Sequence, residues 1–389
     1  MARIFILNTT LGFNASGRLV GSLMREAEAA GHSVMLAYSR GEEPDGPQTV
    51  RVGSLADRVT HALATRLLDA HGEWSHGPTR HVIRLMEKFG PDVVNLHNIH
   101  GYWLNVPMLM RWLTARGVRV IWTLHDFWPL GGHCAFPQAE DCYRWVTGCH
   151  SCPLKGEYPS SWLLDRSRRA FERKRLLFTA LPSLTLVAVS EWQARQMRSS
   201  FLGDRPTVVI HNPVETGIFR PSGTPQHRVV TGAASVWDRR KGLDRFLTLR
   251  KLLPEDVEIR LAGLRRRQIA TLPAGIAGLE RLSSPAALAR FYSAGSLFVN
   301  LSRAETLGMV NLEARACGSP VVSFDSGGLR ETVTGASGLA VPDGDVEAAA
   351  AAVMRALDRK WDRAGIAAEI ARDFAPGRQI PKYLELFKS

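Results

Sequence analysis

"SRAETLGMVNLEARACGSPVV", residues 302–322, joins two apolar runs, "LFVNLS" (297–302) and "PVVSFD" (320–325). Continuously apolar runs of this length are the pattern of parallel strands buried on both faces. Between them the spacing predicts a loop carrying Glu305 and a helix starting near Leu307–Gly308. A helix N-terminus opened by glycine offers free backbone N–H groups to a phosphate, here those of Gly308, Met309 and Val310. Glu313 falls about a turn and a half into that helix. A carboxylate there can accept both hydroxyls of a ribose. Either glutamate alone reads equally well as a solvated helix residue. The spacing of the pair between two apolar strands is far less generic.

The same alternation extends in both directions. Strand-like runs precede it at 3–8, 33–38, 93–98, 119–125, 184–190 and 207–212, and a second set lies at 228–234, 257–263, 297–302 and 320–325. Helical stretches separate them, such as "RLVGSLMREAEAAG" (18–31), which stops at Gly31. This is βαβ repetition twice over, so the fold class is α/β, with two Rossmann-like, doubly wound domains. The 389 residues are enough for two such domains at roughly 150 residues each. The proline-rich, aperiodic stretch "HNPVETGIFRPSGTPQH" (211–227) places the break. The expected division is 1–213, with a cysteine-rich insertion at 127–160, then 214–375. A last helix at 376–389 is expected to pack back on the first domain.

Open parallel sheets bind ligands beyond the carboxyl ends of their strands. In the first domain those positions carry "NTTLGFNASGR", "HNIHGYW" and "HDFWPLGGH", and in the second "AASVWDRRKG", "SRAETLG" and "DSGG". Two such rims facing each other would make a polar cleft. "DRRKG" (238–242) supplies cations for the several negative charges of a nucleotide diphosphate; the plain alternative is a solvated turn. His125 ends a strand and is a candidate for the reaction. His97 and His100 are candidates for contacting an acceptor.

Cys134, Cys142, Cys149 and Cys152 fall within 19 residues, spaced C-x7-C-x6-C-x2-C. In a chain read as cytosolic this density favours zinc over disulfides, with unmetallated thiols and redox chemistry as alternatives. Four thiolates would close a tetrahedral structural site with no open position for a substrate. The expectation is a staple for an otherwise irregular segment, and no catalytic metal. The opening "MARIFILNTT" enters a strand directly, without the longer apolar core of a signal peptide, which sets the expectation of a cytoplasmic protein.

The net charge of +12 suits nucleic acid, anionic lipid or a phosphorylated small molecule. A simply arginine-rich composition explains it equally well. "DRSRRAFERKRLLF" (165–178) has the look of a basic amphipathic helix at an anionic membrane surface.

The Glu-x7-Glu stretch resembles the signature of the family-4 retaining glycosyltransferases, which have the GT-B fold. "GFNASGR" (12–18) is similar to that family's first glycine loop, and brings in Gly17. "HNIHGYWLNVP" (97–107), "WTLHDFWPLGGHC" (122–134), "WDRRKGLDRF" (237–246) and the cysteine cluster resemble its colanic-acid, exopolysaccharide branch. The resemblance implies that Lys241 and a neighbouring arginine, Arg240 ahead of Arg239, bind the donor diphosphate. It also implies catalytic parts for Glu305 and His125. Leu307 stands where the family commonly has Phe.

The expected function is retaining transfer of a hexose from a GDP- or UDP-sugar to a lipid-linked saccharide in surface polysaccharide synthesis, peripheral to the membrane. No nucleic acid is expected as a partner. Two alternatives stay open: a same-fold protein that binds sugar nucleotides without catalysis, and a zinc-ribbon nucleic-acid-binding protein.

Overall fold

The computed structural model describes residues 1–41 and 48–388. The chain folds as two units, Met1–Asn212 with Ile380–Ser389, and Pro213–Gln379.

Among the described residues, the first unit is built on a seven-stranded sheet. Its strands are β1 (Arg3–Leu11), β2 (Ser33–Gly41), β3 (Thr49–Arg51), β4 (Val93–Leu96), β5 (Arg119–Leu124), β6 (Leu184–Ala188) and β7 (Thr207–Val209). They lie in the order β3-β2-β1-β4-β5-β6-β7, every pair parallel. Side chains alternate between faces with period two. Phe5 and Leu7 join one buried cluster with Leu96, Trp122 and Leu124. Ile4 and Ile6 join another on the opposite face, with Val93, Ile121 and Val187. The last helix, Pro376–Lys388, covers that second face with Ile380, Tyr383 and Phe387. Tyr383 also shares a hydrogen bond with Thr123 of β5 (3.1 Å).

The second unit repeats the plan with β8 (Val229–Ala233), β9 (Glu258–Ala262), β10 (Ile276–Leu279), β11 (Leu297–Asn300), β12 (Val321–Phe324) and β13 (Gly338–Val341). Their order is β10-β9-β8-β11-β12-β13, again all parallel. In each unit the strand order reverses once, between β1 and β4 and between β8 and β11. Those are the points at which a doubly wound sheet opens a crevice for a ligand.

Residues 165–178 do not form the exposed amphipathic helix expected from their sequence. In the helix Ser167–Thr179, Phe171, Lys174 and Phe178 are buried. The Lys174 ammonium donates to the carbonyls of Trp128 (2.6 Å) and Gly131 (2.8 Å). The apolar side of this helix is therefore already packed, leaving Arg168, Arg169, Arg175 and Leu176 outside. An unpacked apolar stripe lies elsewhere. On the helix Leu55–Leu68 every fourth residue, Leu55, Val59, Leu63 and Leu67, is at least 40% exposed. Trp162 joins its C-terminal end by donating its backbone N–H to the Arg66 carbonyl (2.7 Å), and Trp162, Leu163 and Leu164 are exposed as well.

Candidate active site

In the second unit the loops after β8 and β11, which flank the reversal point, meet. The first turns tightly through Asp238, whose carboxylate accepts the Lys241 backbone N–H (3.1 Å). Gly242 follows at φ +71°, and a Cβ there would lie 2.4 Å from the Leu301 carbonyl oxygen, so only glycine lets the two loops approach. Arg303 ties them further, pairing through both guanidinium nitrogens with Asp244 (2.9 and 2.6 Å).

The product of this approach is a buried ionic corner. The Lys241 ammonium pairs directly with the Glu305 carboxylate. Arg240 Nη1 lies 3.6 Å from the other Glu305 oxygen and donates to the Ala304 carbonyl (3.2 Å). Of the two neighbouring arginines it is thus Arg240 that reaches Glu305. Burial pushes the Glu305 carboxyl upward, but Lys241 and Arg240 more than offset this and hold it below the usual carboxylate range. Burial lowers Lys241 in turn, partly countered by Glu305. The Glu305 backbone is fixed from beneath by "DSGG" (325–328). Gly328 N–H donates to the Glu305 carbonyl (2.9 Å), and a Cβ at Gly327 would sit 2.2 Å from that same oxygen.

The helix Met309–Ala316 starts as expected, with Gly308 as its N-cap at φ +87°. A Cβ at Gly308 would lie 2.3 Å from Leu329, so the backbone N–H groups at 308–310 open the helix without side-chain cover from position 308. Glu313 lies on this helix, 4% exposed, and accepts from the Tyr292 hydroxyl (3.4 Å).

In the first unit, Gly17 lies in the helix Asn14–Ala29, where its N–H donates to the Asn14 side chain (2.8 Å). His125 follows β5, and burial lowers it to about 4. His97 and His100, the candidates for contacting an acceptor, are both held by protein partners. His97 is 2% exposed and places its ring nitrogens against His125 (3.0 Å) and Asn95 (2.9 Å). His100 is 7% exposed, with its ring nitrogens near Tyr158 (3.1 Å) and the Asp126 carboxylate (2.9 Å). Both rings are thus fixed in direction beside His125. Sequence reasoning passed over Asn95 and Asp126. The available signal was a polar side chain inside the apolar run "VVNLHN".

The four cysteines share one neighbourhood. Cys134 hydrogen-bonds to Cys152, which draws the Cys152 thiol down to about 7. The Gly132 N–H donates to Cys149 Sγ (3.2 Å). Yet among the described residues no three His, Cys, Asp or Glu side chains are arranged to hold a metal ion.

Two family descriptions match this chain in succession: "Glycosyltransferase Family 4" over residues 16–217 and "Glycosyl transferases group 1" over 227–359. The first covers more than half of the sequence. The chain belongs to glycosyltransferase family 4. Among this family 4 chain's relatives is WcaC of Escherichia coli K12, named for glycosyl transfer in colanic acid biosynthesis, 33% identical over 132 residues, or 32% of each chain. A D-inositol 3-phosphate glycosyltransferase of Thermomonospora curvata is 31% identical over 227 residues, 48% of this chain and 52% of that one. The matched stretches thus span about a third to a half of these relatives. Among solved structures, the sucrose-phosphate synthase of Thermosynechococcus elongatus superposes with TM-score 0.70 at 16% identity, covering 100% of this chain and 98% of that one. HepE of Anabaena, in complex with UDP and glucose, superposes at 0.64 and 14% identity over 100% of both. WaaG, a glycosyltransferase of lipopolysaccharide biosynthesis, superposes at 0.63 and 13% identity over 99% of both. The fold of this family 4 chain is GT-B.

In the ionic corner, Glu305 occupies the cations that a diphosphate would need. A diphosphate bound by these cations would have to displace this carboxylate from Lys241. Glu305→Gln is expected to bind UDP or GDP more tightly than the parent protein, because its counter-anion is gone. Lys241→Ala should lose about 1.5–3 kcal/mol of that affinity, as for a charged hydrogen bond. Calorimetry on both variants checks the pair; weaker binding by Glu305→Gln would contradict the exchange.

Proposed function

We propose that the protein transfers a hexose from a UDP- or GDP-sugar to a saccharide acceptor with retention of anomeric configuration. The carrying observation is the buried corner of Lys241, Arg240 and Glu305 at the reversal point of the second sheet, one loop away from an N-terminus capped by Gly308. Breaking a sugar–phosphate bond builds positive charge at the anomeric carbon and negative charge on the leaving diphosphate. Lys241, Arg240 and the N–H groups of Gly308, Met309 and Val310 supply charge and dipole for that diphosphate. Glu313 is suited to the ribose hydroxyls and Glu305, once displaced, to the hydroxyls of the sugar. His125 is assigned the orientation of the sugar, and Gly17 the close approach of backbone to donor. The acceptor hydroxyl attacks from the leaving-group face, and the diphosphate oxygen takes its proton. The cations perform the work that a catalytic metal would otherwise do. A protein that binds sugar nucleotides without catalysis would keep the same donor contacts and differ only in turnover.

The name of WcaC supports a polysaccharide acceptor, and the surface supports docking on an anionic membrane. No helix of the described residues is long and apolar enough to cross one. The stripe Leu55–Val59–Leu63–Leu67 and the adjoining Trp162–Leu164 loop offer apolar side chains to the acyl boundary. Arg168, Arg169 and Arg175 offer charge to the head groups from a helix that starts beside Asp69, which accepts the Arg166 N–H (2.6 Å). The cysteine cluster has the donor chemistry of a structural zinc; the Gly132 N–H···Sγ bond favours the Cys149 thiolate, while burial pushes that thiol up to about 11 in the absence of a cation. The side chains must rotate to close a coordination shell.

A thermal-shift panel should show stabilisation by UDP or GDP and their sugars, and none by oligonucleotides. With the donor found, His125→Ala and Glu305→Ala should each turn over at least about a hundredfold more slowly. NMR of the product's anomeric proton should show retention; an inverted linkage refutes the mechanism. Liposomes containing anionic lipid should bind the protein and release it in salt, and the pair Leu63→Glu, Leu163→Glu should stay in solution. Equal binding to neutral liposomes would remove the electrostatic part. Elemental analysis of protein purified without added metal should find close to one equivalent of zinc, lost in Cys149→Ser, Cys152→Ser; metal-free parent protein of full stability would end that assignment.

A further inference from the structure

A line of hydrogen bonds runs from the backbone of β5 to His125. Asn95, in β4, is fully buried. Its Nδ2 donates to the Ile121 carbonyl (3.1 Å), an oxygen that can only accept. That contact orients the amide and turns Oδ1 toward His97 Nε2 (2.9 Å). An amide oxygen also only accepts, so His97 carries its proton on Nε2. A neutral imidazole has one N–H, which leaves the lone pair on His97 Nδ1, 3.0 Å from His125 Nε2. His125 must then donate from Nε2. The two rings lie near one plane, with centroids 5.3 Å apart and 20° between planes, as an in-line bond requires.

We propose that Asn95 is a positioning residue for glycosyl transfer, acting through His97 to hold His125 in the tautomer with its proton on Nε2. The inference rests on the part assigned to His125 above. Both rings are kept neutral. Burial, then the neighbouring His125, holds His97 well below its ordinary range. Burial lowers His125 to about 4, with Asp126 pulling upward and His100 downward. Beyond these, Tyr158 bonds His100, and Tyr383 has its ring 6.2 Å from that of His97 and its hydroxyl bonded to Thr123. A buried amide in the middle of an apolar strand costs free energy unless each of its groups is paired. Packing alone would be served by leucine. What asparagine adds is a fixed acceptor, and with it a fixed direction for two imidazoles. His125, neutral and committed at Nε2, then has its lone pair on Nδ1. With its one proton committed to His97, His125 does not act as a general acid.

The test uses the full chain labelled with ¹⁵N-histidine, with signals assigned through His97→Gln and His125→Gln. Long-range proton–nitrogen spectra at pH 7 should show the Nε2–H tautomer for both rings, with no protonation of either above about pH 5. Asn95→Asp keeps the acceptor and adds a charge, which favours the imidazolium. The midpoint of the pair should rise by about one pH unit or more. Turnover of the donor found by the panel should lose activity on the acid side at the same, higher pH, because the neutral ring is the active form. Asn95→Leu should leave His97 as mixed tautomers and lower turnover about tenfold, with UDP or GDP affinity within about twofold of the parent. A wild-type His97 protonated on Nδ1, or an Asn95→Asp titration that does not move, overturns the proposal. Should either variant fail to fold, the wild-type spectrum alone decides. Full turnover by His125→Ala would instead remove the part given to His125, while the tautomers stayed as drawn.

Discussion

A carboxylate, an ammonium and a guanidinium share one buried corner after β11, and the second unit is organised around keeping them there. Charges taken out of water cost several kcal/mol each unless paired closely. Glu305, Lys241 and Arg240 meet that condition among themselves. The pairing requires two loops to touch, and glycines make the approach possible. Gly242 lets the β8 loop reach Leu301, and Gly327 and Gly328 let "DSGG" lie against the backbone of Glu305 and Thr306. The two cations outnumber the one buried carboxylate. Asp238, 3.9 Å from Arg240, is more exposed and already caps the turn. Such a corner is stable with an internal anion and receptive to a better one.

The reversal point of the first unit has the same topology and opposite electrostatics. His97 is buried, His125 is half-buried, and both are held neutral, joined by a hydrogen bond instead of charge. Asp126 is ionised, but it is turned to His100 and to the Trp128 N–H (2.9 Å). One sheet thus carries a charged corner past its strands, the other a neutral, hydrogen-bonded pair of imidazoles. Topology alone would not distinguish the two; the side chains just past the strands do.

The central strands were legible because parallel strands buried on both faces leave continuous apolar runs. β3, β10 and β13 went unread. They lie away from the centre of their sheets, have only three or four residues each, and "IAGL" and "GLAV" contain glycine. Glu305 and Lys241 were legible from their place after strands, since a strand end fixes where a residue lies. It does not fix where a ring points, which is why the protein partners of His97 and His100, the candidates for an acceptor contact, were not legible. The helix Ser167–Thr179 misled for a related reason. Its arginines and its phenylalanines are both real, but Lys174 faces inward with the phenylalanines, held by carbonyls that sequence order places more than forty residues away. Asn95 gave a visible signal, a polar residue in an apolar strand, whose meaning depends on the Ile121 carbonyl of the neighbouring strand.

The irregular segment after His125 is where these strands of argument join. Trp128 stacks under the Lys174 ammonium, 3.5 Å from its ring centre, while the same ammonium bonds the Trp128 and Gly131 carbonyls. His133 reaches back to Asp69 (2.7 Å). A Cβ at Gly132 would lie 2.0 Å from the Ser167 carbonyl, so the segment is pressed against the start of the following helix. Phe127 N–H donates to the Ala135 carbonyl (2.9 Å), closing the loop directly behind Asp126. The residues that begin the cysteine cluster are therefore the residues that fix the turn after His125. Loosening the cluster would release Trp128 and Asp126 together, and with them the wall against which the His97–His125 pair is set.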